Sequence, residues 1–176
     1  MVLRLDAHSW DTAEWKQGSS SRDEAVTTGA AHGINRGFFE WKFPYTAAEL
    51  RRRSRITLLC EASASRRGTP QTDSFAQPTT LRMLLNGVPV YQTVLPDHPH
   101  DARGALSYLR GNPGAYGYLN LARVEGSLFA QVVAKMRNGH LRLRCLVPRE
   151  ARPQGGLTIY GSCCGRYPVP PTLIVE

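Results

Sequence analysis

No apolar run in this sequence approaches the roughly 18–20 residues that a membrane-spanning helix needs, and the opening MVLRLDAHSW lacks the apolar core of a secretion signal. Cysteine is scarce, four in 176 residues, with no CxxC pair, which argues against a zinc ribbon. No GxSxG, HExxH or phosphate-binding loop occurs. Acidic residues are few: 14 Asp and Glu against 22 Lys and Arg, a formal net charge of +8. That balance favours a polyanion as partner. Yet the basic residues are dispersed, with one short run (Arg51-Arg52-Arg53-Ser54-Arg55) and one pair (Arg66-Arg67). Zinc-finger spacing, a basic helix and RNA-binding signatures are all missing, so neither nucleic acid nor a membrane is the expected partner. The arginine run reads as a solvated turn.

The four cysteines divide into two kinds. Cys60 and Cys145 sit in alternating apolar runs, so buried free thiols are expected, with a disulfide open if their strands are neighbours. Cys163 and Cys164 are adjacent, and only Arg166 nearby would lower a thiol pKa, so no redox role is expected there.

What is abundant is short strand-like segments. Val2–Leu5, Gly37–Phe43, Arg55–Ala62, Thr79–Asn86, Pro89–Leu95, Ala115–Ala122, His140–Val147, Leu157–Tyr160 and Thr172–Val175 all have strand character. In HLRLRCLV, Leu141, Leu143, Cys145 and Val147 share one face, and Arg142 and Arg144 the other. Asn86-Gly87 supplies the positive φ of a type I′ turn, so Thr79–Leu95 is expected to be a hairpin. Helical signals are confined to Thr46–Arg53, where Thr46 and Glu49 have capping-box spacing, and Ser127–Asn138, which is stopped by Gly139. Residues 10–35 and 66–78 read as long loops. About nine strands with intervening turns predict one all-β domain over residues 1–176, an antiparallel β-sandwich of jelly-roll type with one or two short helices. Strand-like sequence at both ends suggests a module cut from a longer protein.

The order GFFEWKFPYTAAEL, ITLLCEAS, TTLRMLLNGVPVYQTVLPD, YGYLNL, HLRLRCLVP, GGLTIYG resembles the galactose-binding-domain-like jelly roll of accessory and sugar-binding domains in glycoside hydrolase family 2-type enzymes. Leu81–Val90 carries the Asn-Gly turn of the form LxVxLNGxxV, and Leu141–Pro148 the late strand LxLRxxVP. The resemblance spans residues 37–176 and implies a non-catalytic domain beside a catalytic one, since that family's catalytic barrel is far larger than this chain.

Candidate chemistry concentrates in PDHPHDARG, residues 96–104. Asp97, His98, His100 and Asp101 have the ligand types of a transition-metal site, but Pro99 locks the backbone between the histidines. Asp97 and Asp101 could be close enough for glycoside hydrolysis, as could most loop carboxylates. Glycans are met by flat aromatic faces and by side chains that form paired hydrogen bonds. Asp97, His98, His100, Asp101 and Arg103 supply the second, and Tyr108, Tyr116 and Tyr118 the first, with Trp10, Trp15 and Trp41 as further stacking candidates and Trp41 expected in the core. The plainer alternative is an ordered loop in which Arg103 pairs with Asp97 or Asp101, or packs on a neighbouring domain. No cofactor is expected. Structural calcium is a candidate near the termini, where Asp6, Asp11, Glu14 and Glu176 lie. The expected partners are a polysaccharide or oligosaccharide, with acidic glycans favoured by charge, and the catalytic domain of the parent chain.

Overall fold

The computed structural model describes residues 1–15, 30–33, 35–64, 78–96, 117–137, 139–162, 167 and 169–176. Alternation in the sequence decides which face each strand buries. The strands are β1 (Val2–Arg4), β2 (Thr12–Ala13), β3 (Ala30–Gly33), β4 (Gly37–Pro44), β5 (Arg55–Ser63), β6 (Thr79–Leu85), β7 (Val88–Leu95), β8 (Tyr118–Glu125), β9 (His140–Val147), β10 (Leu157–Tyr160) and β11 (Thr172–Val175). All pairings are antiparallel.

Two sheets form a jelly-roll sandwich. One runs β2-β4-β9-β6-β7. The other runs β1-β11-β5-β10-β3, with β8 on the far edge of β5. There β11 pairs Thr172–Val175 with residues 56–59 of β5, and β10 pairs Thr158 and Ile159 with Ser63 and Ala62, so the two act as one interrupted strand. Phe39, Trp41, Phe43, Leu81, Met83, Leu141, Leu143 and Cys145 from the first sheet meet Ile56, Leu58, Cys60, Ala62, Val124 and Leu173 from the second, all essentially inaccessible. The expected all-β antiparallel sandwich is the observed fold.

The expected hairpin is present: Asn86 has φ 49° and Gly87 φ 80°, both left-handed as a type I′ turn requires. The first helix, α1 (Ala47–Leu50), starts on the expected capping box. The Glu49 backbone N–H donates to Thr46 Oγ1 at 3.2 Å, and the Thr46 N–H donates to Glu49 Oε2 at 2.8 Å. The second, α2 (Gly126–Ala134), begins one residue earlier than expected and ends earlier. Glu125, not Ser127, is its N-cap, and no side chain caps it. The strand expected at residues 115–122 is observed as Tyr118–Glu125 and runs directly into α2.

Residues 10–35 were expected to be loop, but contain β2 and β3. Both are short and poor in β-branched residues, so only their pairing partners reveal them. Trp15 is the reason they dock. Its ring lies over Gly33 and Gly37: a Cβ at Gly33 would fall inside the ring, and one at Gly37 would sit 2.6 Å from it. Phe39 stacks between Trp15 (4.6 Å between centroids) and Trp41 (6.1 Å), with Trp10 tilted at 5.8 Å. Trp41 is in the core as expected, and its Nε1 donates to the Asp6 carbonyl. Trp15 is buried too, so neither offers a ring face to a ligand. Cys60 and Cys145 are buried free thiols in contact across the two sheets, and burial together with the Cys60 neighbour pushes the Cys145 thiol well above its usual range.

Candidate functional site

The loop singled out from sequence lies outside the described residues, and with it Asp97, His98, His100, Asp101, Arg103, Tyr108 and Tyr116. Cys163, Cys164 and Arg166 also lie outside them. Tyr118 is described. It opens β8, pairs with Ala62 and packs half-buried against the core.

Glu61 holds the far end of that segment, at Gly117, together with Tyr167 from later in the chain. Its position in β5 alternates toward the outside of the sheet, yet its side chain is fully buried. Gly117 N–H donates to Oε1 and Tyr167 N–H donates to Oε2, both at 2.9 Å. A carboxylate buried on two backbone N–H groups is a strong local anchor. A Cβ at Gly117 would lie 2.6 Å from Glu61 Cγ and 2.8 Å from the Tyr160 ring, so only glycine lets the chain come this close. Beside it, Asn120 Nδ2 donates to the carbonyls of Cys60 and Tyr118, and Tyr91 Oη donates to Asn120 Oδ1. Tyr160 and Ser63 hydroxyls share a hydrogen bond of 3.0 Å. This end of the sandwich is therefore an ordered polar platform with an exposed tyrosine, Tyr167, on it. Sequence reasoning missed Glu61, whose only signal was a lone acid inside the apolar run ITLLCEAS.

The terminal carboxylates considered for calcium are engaged by other side chains. Asp11 holds Lys42 at 2.6 Å, Glu14 holds Arg149 at 2.7 Å, Glu176 holds Arg55 at 3.0 Å, and Asp6 accepts from Ser162. The Lys42 ammonium also holds the Asp11 carboxyl below its usual range. A calcium site needs several oxygens converging without competing cations, and among the described residues no cluster of three potential ligands occurs.

A second polar feature lies on the outer face of the five-stranded sheet. Register places Glu40 beside Arg144 beside Leu84, and Lys42 beside Arg142. Arg144 donates to Glu40 Oε2 at 2.8 Å and lies 4.0 Å over the Phe38 ring. Arg82 holds both Glu150 and Gln92 at 2.7 Å. A cleft of about 380 Å³ opens here, lined by Glu40, Leu84, Asn86, Gly87, Lys135, Arg137, Arg142 and Arg144.

No protein-family model and no curated protein matches the chain. Solved structures of similar architecture are carbohydrate-binding modules. One is a family 36 module in complex with calcium and xylotriose, at 7% identity and TM-score 0.41, covering 98% of each chain. Another is a family 35 module from Clostridium thermocellum, at 10% identity and TM-score 0.45, covering 100% of this chain and 98% of that one. A third comprises the CBM51-2 and INT domains of Clostridium perfringens ZmpB, at 11% identity and TM-score 0.42, covering 98% of this chain and 31% of that one. These are likenesses of architecture; the sandwich itself rests on the strand pairing above.

Proposed function

We propose that this chain is a non-catalytic carbohydrate-binding module that recognises a polysaccharide or glycan at its loop end, by aromatic stacking and side-chain hydrogen bonds. The observation that carries the reading is the Glu61 anchor. It fixes Gly117, where the chain returns from the aromatic and charged segment 97–116, and Tyr167, which shares the same end. A recognition surface built on fixed anchors loses less conformational freedom on binding. The residue inventory of the segment, Asp97, His98, His100, Asp101, Arg103, Tyr108 and Tyr116, with Tyr118 at its base, matches what a sugar needs.

Affinity electrophoresis in gels cast with soluble neutral and acidic polysaccharides, with and without EDTA, tests this. Retardation by one polymer, abolished by Tyr108→Ala, Arg103→Ala or Asp101→Ala, is the expected result. Passage through every gel unretarded would sink the reading.

A second reading has its own observation. The outer face of the β5-centred sheet exposes Leu119, Leu121 and Val2, at 42%, 49% and 52%. Leu59 lies beside Leu121, and Ile174 beside Val2. Such a patch suits docking of a neighbouring catalytic domain. Under this reading the isolated chain self-associates, and Leu119→Ser with Leu121→Ser abolishes it.

A further inference from the structure

We propose that the cleft on the outer face of the five-stranded sheet is an anion-recognition site that takes the carboxylates of a uronic-acid polysaccharide. This rests on the carbohydrate reading above and gives it a second surface. The cleft is far from the loop end. It sits by the Asn86-Gly87 turn, whereas segment 97–116 leaves from the opposite end of the same hairpin, after Leu95.

Two successive segments of the chain bring the cations together. Arg142 and Arg144 come from β9, and Lys135 and Arg137 from the chain just after α2. Four cationic side chains face one carboxylate, Glu40, and that carboxylate is already taken by Arg144. Arg144 is thus a fixed wall, held by Glu40 on one side and Phe38 on the other. Lys135, Arg137 and Arg142 form no ion pair among the described residues. Arg142 goes further: its Nε is buried without an acceptor. Buried donors of that kind are rare because their desolvation is uncompensated. A carboxylate meeting the edge of the guanidinium supplies the missing acceptor in the paired geometry that arginine favours.

The floor is preorganised by Asn86, a positioning residue. Its Nδ2 donates to the Val132 carbonyl at 3.0 Å, and its Oδ1 accepts from the Arg142 backbone N–H at 2.9 Å. One amide therefore ties the turn to both cation-bearing elements. Among the described residues, Leu84 gives the only apolar side chain of the lining and no aromatic ring lines it. Nucleobases have nothing to stack on, and three unpaired cations in one small cleft are not a phosphate-tracking stripe. The chemistry suits a carboxylate-bearing sugar ring.

The test uses the intact chain and three soluble polymers: polygalacturonate, neutral galactan and dextran sulfate, with single-stranded DNA as a fourth arm. Lys135 and Arg137 are exposed, so Lys135→Gln with Arg137→Gln leaves folding intact, as a thermal melt verifies. Arg51→Gln with Arg53→Gln removes the same charge elsewhere. The expected result is salt-sensitive retardation by polygalacturonate, weakened at least about tenfold by the first double variant and by Arg142→Ala, and unchanged by the second. Equal weakening by both doubles would mean net charge alone and overturn the site. Polysaccharide binding lost with Tyr108→Ala but indifferent to the cleft variants would overturn it while leaving the loop-end reading standing. No retardation by any polysaccharide would remove both. Cleft-dependent binding of dextran sulfate alone, or of DNA in preference, would overturn the carboxylate assignment.

Discussion

The two sheets share one core but present opposite chemistry to the outside. The outer face of the five-stranded sheet is built of Lys42, Arg82, Arg142 and Arg144, with carboxylates holding three of the four. The outer face of the other sheet exposes Leu119 and Leu121, and its single acid in the middle of β5, Glu61, is buried under returning chain. A β-strand has to solve only its inner face to fold. What stands on the outer face is free to vary, and here one face gathers cations while the other exposes two leucines beside Arg123 and Glu125.

The comparison breaks most violently at Glu61. Glu61→Ala removes the acceptor of the buried Gly117 N–H and of the half-buried Tyr167 N–H and should cost about 3 kcal/mol, read as a lowered denaturation midpoint. The neutral Glu61→Gln should cost less, because its amide oxygen still accepts one bond. Next comes Glu40, the buried acid of the opposite face. Glu40→Ala should destabilise by about 1 kcal/mol, since Arg144 is more than a third exposed to solvent, and should tighten polyanion binding by freeing that cation. Between the sheets, Cys145 makes stability pH-dependent. Its folded pKa is raised, so the stability it contributes is complete below the unfolded thiol pKa, about 8.5, and is lost as pH rises above it. Melting temperatures taken between about pH 8 and about pH 10 should fall in the wild type and fall less in Cys145→Ala. Smallest is Leu121→Ser on the apolar face, within about 0.5 kcal/mol on stability, detectable mainly as reduced binding of a hydrophobic dye.

Local rules made much of this fold legible. The Asn86-Gly87 turn, the Thr46 capping box and the alternation of His140–Val147 each depend on a few neighbouring residues, and each was found where the sequence placed it. What escaped depends on partners far along the chain. β3 is a strand because β10 pairs with it, and Glu61 is buried because residues 117 and 167 cover it. The basic cleft was half visible as Arg142 and Arg144 on one strand face. Its other half, Lys135 and Arg137, is brought there by the Asn86 bridge to Val132 and by the turn in which the His140 N–H donates to the Arg137 carbonyl. Of the residues assigned to the candidate site from sequence, Tyr118 alone is among those described, as a half-buried base rather than a rim.

Trp15, Gly33 and Gly37 are three positions that cannot change independently. A side chain at either glycine collides with the indole, and a smaller residue at 15 would leave both glycines over an empty slot. In an alignment of relatives the three should therefore be inherited as one character, kept together or lost together. Lineages that lose the tryptophan should be the ones in which larger residues appear at positions 33 and 37.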